Sequence, residues 1–314
     1  MVKLANIGLV FPGQGSQYVG MGKKLFEQYK EARELFEVAD DTLRYSITKL
    51  CFDGPEDVLK LTENTQPALL TVSCAVYKVL YNKTGIEANF MTGHSLGEYS
   101  ALVAAGSIKF EDAVRIVHKR GKFMQEAVPL GTGGMLAVIG LEDYEIEEAC
   151  KEVDAALGIV TPANYNSFGQ VVVSGNTEAL SAVTPILKEK GAKKILPLPV
   201  SAPFHSPLMA KAADRLAEVL ENVKIELPKA QVISNVTAEP YKTVEEIREL
   251  LVKQVKAPVR WVECVKYMWA QGVNEFVELG AGKVLSGLIK RIERDAKTVN
   301  IELPEEIELF AKLF

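Results

Sequence analysis

Met91-Thr92-Gly93-His94-Ser95-Leu96-Gly97-Glu98-Tyr99-Ser100-Ala101-Leu102 is the stretch on which the reading of this chain turns. Its Gly93-to-Gly97 segment is G-x-S-x-G, the pattern of a nucleophile elbow in which a strand turns sharply into a helix with a serine at the corner. The corner residue sits in a strained backbone conformation, and side chains two positions to either side would collide, hence the glycines. The flanks agree: 86–91 reads as a short strand, and 98–105 is rich in helix formers, with Gly106 placed to end the helix. A serine at such a corner points out of the fold, and the Leu96 amide at the helix start is placed to donate to an oxyanion. The same spacing also describes a glycine-flanked turn with an idle serine, so the rest of the chain has to decide.

With 314 residues, 48% of them hydrophobic, the chain can bury one large core or two moderate ones. A net charge of −5 argues against nucleic acid as the main partner. No apolar run approaches the ~18 residues that would suggest a membrane span. Residues 4–11 contain Asn6 and run straight into Pro12-Gly13-Gln14-Gly15, which suits a buried strand better than a signal-peptide core. The cysteines Cys51, Cys74, Cys150 and Cys264 match no metal spacing, so reduced core thiols, no metal site and a cytoplasmic address are expected.

In chain order, 6–11 reads as strand, followed by a glycine-rich turn that lacks the third glycine of a dinucleotide fingerprint because Tyr18 stands there. Helical patterns cover 21–40, 55–61, 67–81 and 110–127. After the break at Pro129-Leu130-Gly131-Thr132-Gly133-Gly134 the pattern becomes regular. Strands are expected at 135–140, 159–166, 170–174 and 193–200, with helices at 142–154 and 177–190. That is the β-α-β-β-α-β order of a ferredoxin-like unit, best read as a subdomain (129–200) inserted in a larger one (1–128 and 201–314). Beyond it come a helix to about 220, a strand at 231–235, helices from 244 and over 261–271, a strand at 275–279, and a final helix opened by Gly280-Ala281-Gly282-Lys283.

A serine needs a neighbouring base, and only three histidines are available. His94 adjoins Ser95 and would project elsewhere, as a packing or hydrogen-bonding residue of the elbow. His118 lies within a charged helix, where a solvated or half-buried place is expected. Elimination leaves His205, on a loop stiffened by Pro203 and Pro207, although a histidine capping the following helix remains the alternative. No carboxylate stands on a suitable strand end between Ser95 and His205, so a backbone or amide carbonyl is expected to orient the imidazole. Arg120, just before Gly121, could grip a substrate carboxylate through two parallel hydrogen bonds, or could simply be a solvated helix-face arginine.

Together these residues resemble the malonyl-CoA:acyl carrier protein transacylase family over almost the whole chain. The resemblance is carried by Gly13-Gln14-Gly15-Ser16-Gln17, Gly93-His94-Ser95-Leu96-Gly97-Glu98-Tyr99, Arg120-Gly121-Lys122-Phe123-Met124-Gln125, Asn164-Tyr165-Asn166-Ser167, Phe204-His205 and Gly280-Ala281-Gly282-Lys283. It implies an α/β fold: a hydrolase-like large domain with a short parallel sheet and an inserted ferredoxin-like small subdomain. It implies Ser95 as acyl nucleophile, His205 as its base, and the Gln14 and Leu96 amides as oxyanion hole. Arg120, Phe204, Asn164 and Asn166 would bind substrate, and a carbonyl of Gln254, in Gln254-Val255-Lys256-Ala257-Pro258, would orient the histidine. Phe204 before the histidine resembles the malonyl type among polyketide acyltransferases, whereas Ala281 stands where a proline is common.

The implied partners are malonyl-CoA and acyl carrier protein, with coenzyme A thioester as substrate, no permanently bound cofactor, no nucleic acid, no membrane, and a monomeric enzyme. A serine hydrolase such as a thioesterase and a non-catalytic acyl-binding subunit are the competing classes. An acidic carrier calls for a basic patch, for which Lys188, Lys190, Lys193, Lys194, Lys283, Lys290 and Arg291 are candidates. Activity is expected to fall as pH drops through an ordinary histidine value.

Overall fold

The strand that leads into Ser95 lies second from one edge of a parallel sheet. The computed structural model of the chain describes residues 3–200 and 202–313; the expected boundary at 201 and the ends at 1 and 314 lie outside them. The strands are β1 (Lys3–Phe11), β2 (Glu87–Gly93), β3 (Gly133–Ile139), β4 (Val160–Ser167), β5 (Gln170–Asn176), β6 (Lys194–Pro197), β7 (Gln231–Val232), β8 (Glu275–Leu279) and β9 (Lys297–Ile301). One sheet has the order β7-β2-β1-β8-β9 with every pairing parallel. The other has the order β4-β5-β3-β6 with every pairing antiparallel, and it interrupts the first between β2 and β7. The protein is α/β.

Each sheet follows from its sequence pattern. Ile7, Leu9, Val10 and Phe11 of β1, and Phe276, Val277 and Leu279 of β8, are all buried, as strands covered on both faces must be. In the antiparallel sheet the two faces divide the valines of β5. Val171 and Val173 pack with Val183 and Leu187 of the helix Thr177–Glu189, while Val172 turns to the larger core that includes Met135 and Ala137. The run Val171-Val172-Val173 is therefore two interleaved surfaces.

Four expectations need correction. The helix over 21–40 is two helices, Lys23–Gln28 and Lys30–Leu43, separated by Tyr29 in extended conformation. The helix over 67–81 begins earlier and runs Thr62–Thr84 with Pro67 inside. Proline lacks the N–H that would bond the carbonyl four residues back. That carbonyl, on Glu63, accepts instead from His118 Nδ1 at 2.9 Å, so the half-buried His118 repairs the helix. The strand over 231–235 stops at Val232, because the Ser234 amide turns to the Glu239 carbonyl and a tight loop forms. The helix after Gly282 (Val284–Ile292) is not the last element. β9 and the helix Pro304–Ala311 follow it; β9 is a half-exposed edge strand of five residues whose alternation, Val299-Asn300-Ile301, is short.

Candidate active site

The chain leaves β2 into a corner at Ser95, whose φ of 51° is a left-handed conformation rare for a residue with a side chain. The corner is tight on both sides. A Cβ on Gly97 would lie 2.0 Å from the Phe11 carbonyl oxygen, and one on Gly93 would lie 2.0 Å from the carbonyl carbon of Gly97. Only glycine lets the helix Gly97–Ala104 start this close to β1 and β2. The Ser95 amide donates to Asn235 Oδ1 at 2.7 Å, and the Ser95 carbonyl accepts from Gln254 Nε2 at 3.1 Å.

His205 comes to this corner from 110 residues away, with its Nε2 2.8 Å from Ser95 Oγ. Its Nδ1 lies 2.8 Å from the Gln254 carbonyl oxygen. A carbonyl only accepts, so Nδ1 carries the proton and Nε2 is left to accept from the serine hydroxyl, the tautomer a base requires. Gln254 is the last residue of the helix Val244–Gln254, where carbonyls have no partner within the helix. The negative end of that helix favours an imidazolium if one forms. In the free protein the imidazole is 4% exposed, and burial, then the Arg120 charge, pushes its pKa down to about 3.

Arg120 lies on the helix Phe110–Glu126, which packs on Thr62–Thr84 at Gly121. A Cβ there would stand 2.5 Å from the Thr62 carbonyl oxygen, so glycine permits the approach that puts Arg120 in the site. The guanidinium is 1% exposed. Its Nη1 donates to Gln66 Oε1 at 2.8 Å, and its Nη2 donates to Gln254 Oε1 at 2.8 Å and to Ser95 Oγ at 3.0 Å. The Tyr99 ring centroid is 5.5 Å from it. Among the described residues it forms no ion pair, and burial lowers its pKa. The solvated arginine allowed by the sequence is not what forms.

The other expected residues divide. Among the described residues neither the Gln14 nor the Leu96 amide donates to a protein acceptor, and the Gln14 side chain is tied to Thr62 Oγ1 at 3.2 Å. Asn166 Oδ1 accepts from His94 Nε2 at 2.8 Å, and His94 also packs on Trp261. Asn164 is buried on β4 where that strand meets Val259, just past Pro258. Phe204 is buried beside His205.

Three partners escaped the sequence reading: Gln66, Asn235 and Glu98. Glu98, a charged residue in the buried first turn after the serine, carried the one local signal. Burial lifts its carboxyl to about 7. No group of His, Cys, Asp and Glu among the described residues could hold a metal ion, and no helix there is long and apolar enough to cross a membrane.

A nucleophile, a correctly protonated base, two free amides and an unpaired buried cation beside the nucleophile can form and break an ester of a carboxylate-bearing acyl group. Comparisons with known proteins point the same way. Residues 9–302 match the family model described as acyl transferase domain. The malonyl CoA-acyl carrier protein transacylase of Bacillus subtilis (strain 168) is 46% identical over 306 residues, 98% of this chain and 96% of that protein. The solved malonyl CoA-acyl carrier protein transacylase of Coxiella burnetii is 45% identical with TM-score 0.95, covering 98% of this chain and 97% of that one. A type II PKS acyl-carrier protein in complex with its malonyl-transacylase matches with TM-score 0.95 at 45% identity, covering 98% and 100%.

Proposed function

The chain belongs to the acyl transferase domain family, and from that premise we propose that it transfers a malonyl group from malonyl-CoA to the phosphopantetheine thiol of acyl carrier protein, supplying fatty acid synthesis. One observation carries the substrate assignment: the buried Arg120 guanidinium, with no ion pair among the described residues, stands 3.0 Å from Ser95 Oγ. In a malonyl thioester the carboxylate carbon is two bonds from the carbon under attack. A carboxylate-binding group must therefore lie beside the nucleophile, and a buried cation without a counter-ion is what such a substrate completes.

Ser95 gives its proton to His205 Nε2 as Oγ attacks the thioester carbon. The Gln14 and Leu96 amides receive the oxyanion. Coenzyme A leaves as a thiol with the proton from His205, and a malonyl-serine ester remains. The carrier thiol, deprotonated by His205, then attacks the ester and Ser95 recovers its proton. His205 is held as a weak base in the free enzyme by burial and the Arg120 charge; pairing of Arg120 with the malonyl carboxylate removes the second cause and strengthens the base when substrate is present. Phe204 and Asn164 shape the acyl site, and Asn166 acts through His94. The Gln254 carbonyl orients the imidazole.

We read residues 129–200 as a ferredoxin-like subdomain inserted in a hydrolase-like unit of 1–128 and 201–314. The strand order β4-β5-β3-β6 and a separate apolar core support that reading. A cytoplasmic monomer without a resident cofactor completes it; four buried free thiols support the reducing compartment alone. The test is intact-mass measurement after brief mixing with malonyl-CoA. One malonyl group on Ser95, absent in Ser95→Ala and discharged onto added carrier, is expected. An acyl-enzyme in Ser95→Ala would refute the nucleophile; release of free malonate with the carrier left unloaded would make the protein a hydrolase.

A further inference from the structure

Glu98 is fully buried in the first turn after the nucleophile, and no step above uses it. Its Oε1 accepts from the Tyr241 hydroxyl. Its Oε2 accepts from the Asn235 backbone N–H and from Gln254 Nε2, each at 2.8 Å. Both of those residues continue to Ser95. Asn235 offers Oδ1 to the Ser95 amide at 2.7 Å and donates from Nδ2 to the Gly93 carbonyl at 2.8 Å. Gln254 shares its Nε2 with the Ser95 carbonyl at 3.1 Å and presents Oε1 to Arg120. The peptide groups on both sides of Ser95 are thus held by the side chains of Asn235 and Gln254, and one carboxylate holds the first residue by its backbone N–H and the second by its side chain.

We propose that Glu98 is a positioning residue that clamps the left-handed Ser95 backbone from both sides through Asn235 and Gln254; this rests on the acyl-transfer reading above. A non-glycine residue keeps such a conformation only where its surroundings over-determine it. The contacts also identify the property that matters. Oε2 faces two N–H donors and must accept from both, whereas Oε1 faces a hydroxyl that can either donate or accept. A glutamine can turn its carbonyl to the Oε2 position and its amide nitrogen to the Tyr241 oxygen, so the clamp survives loss of the charge. Alanine leaves the Asn235 backbone N–H without an acceptor and leaves Gln254 Nε2 only the Ser95 carbonyl, in a dry site.

The test follows Ser95 in two ways: labelling by phenylmethanesulfonyl fluoride, which needs no acyl-CoA, and single-turnover acylation at varied malonyl-CoA. Glu98→Ala should slow both about 10- to 100-fold at saturation, as loss of buried hydrogen bonds predicts. Half-saturation by malonyl-CoA should stay within about threefold, since the loss is one of alignment. Glu98→Gln should stay within about threefold of wild type in both assays. Glu98→Ala combined with Asn235→Ala should lose less than the product of the two single losses, because Glu98 acts on the Ser95 amide through the Asn235 side chain, although Asn235→Ala keeps the backbone N–H that Glu98 binds.

Equal losses in the alanine and glutamine variants would overturn the geometric claim, and so would wild-type labelling in Glu98→Ala or multiplying effects in the double variant. If Glu98→Ala loses its cooperative melting transition, Asn235→Ala decides: slowed labelling supports the clamp and wild-type labelling refutes it. A wild-type protein labelled on Ser95 yet never acylated by malonyl-CoA would refute the function and leave the clamp standing.

Discussion

At the C-terminal end of β2 the parallel sheet buries a guanidinium, an imidazole, a carboxyl and two amide side chains in mutual contact. The antiparallel sheet of β3 to β6 buries no charged side chain among residues 133–200, and packs Val138, Val171 and Val173 against Ile146, Val183 and Leu187 of its two helices. The two regions touch where β4 meets Val259 and where Asn166 meets His94. The contrast separates two uses of burial. In the small sheet, burial removes apolar area from water and serves stability. At the elbow, burial raises the cost of leaving any polar group unpaired, and so makes the site selective for the substrate that completes it. Substitutions in the first region should therefore move rates, and substitutions in the second should move melting.

The largest effect should come from Arg120→Ala. Leaving a substrate carboxylate unpaired in that dry site costs about 3–5 kcal/mol, or roughly two to four powers of ten in malonyl transfer. Acetyl-CoA, which strands no carboxylate, should lose far less, and Arg120→Lys should recover only part because a point charge lacks the fork. Parallel losses for malonyl and acetyl would make the arginine structural.

The pH profile comes next. Protonation removes the base, and His205 is held down to about 3 in the free enzyme. The acid limb of kcat/KM should therefore lie well below the ordinary histidine value of about 6.5. The limb of kcat should lie higher, because the bound carboxylate offsets Arg120. The same depression means that the unfolded chain takes up this proton first. Its contribution to stability is thus complete above about 6.5 and is lost as pH falls toward the folded value. Rate profiles from pH 4 to 8 that show both limbs at the ordinary value would break this account.

Leu187→Ala tests the other region. It should cost roughly 2–5 kcal/mol in chemical denaturation by opening a cavity between sheet and helix, with kcat for acylation nearly unchanged. A comparable fall in kcat would show that the small core sets the elbow geometry.

The smallest effect concerns charge on the outer face. Lys193 and Lys194 are exposed at the edge strand β6, and Arg291 reaches Gln170, which lies in register with Lys194 across Ile139. Lys190 is already paired with Glu152 at 2.8 Å. Lys193→Glu with Lys194→Glu should raise the KM for carrier protein a few-fold at low salt, and the difference should vanish at high salt. Acylation by malonyl-CoA should not change. Equal salt dependence of both half-reactions would reject steering by this face.

What local chemistry dictates was legible without coordinates. Glycines at 93 and 97 mark a corner too tight for side chains, and the return of apolar residues with period two or near four marks strands and helices. The scarcity of histidine leaves His205 as the partner of Ser95. The loop after Val232 was not legible, because a turn carries no repeating constraint, and β9 was missed because the alternation Val299-Asn300-Ile301 in a half-exposed edge strand is too short to stand out.

The sequence by itself determined the α/β class and the family, and it singled out Ser95 and His205, which the fold brings to 2.8 Å. The tertiary structure decided how those groups behave. Asn235 and Gln254 reach Ser95 across 140 and 159 residues, and nothing in local spacing ties them to it. Arg120 is a buried, unpaired cation because Gly121 lets two helices close, and His205 is a weak base because burial and that cation act on it together. Hydrogen-bond reach and dielectric depend on which chain segments meet in space, and periodicity along the chain carries no record of that.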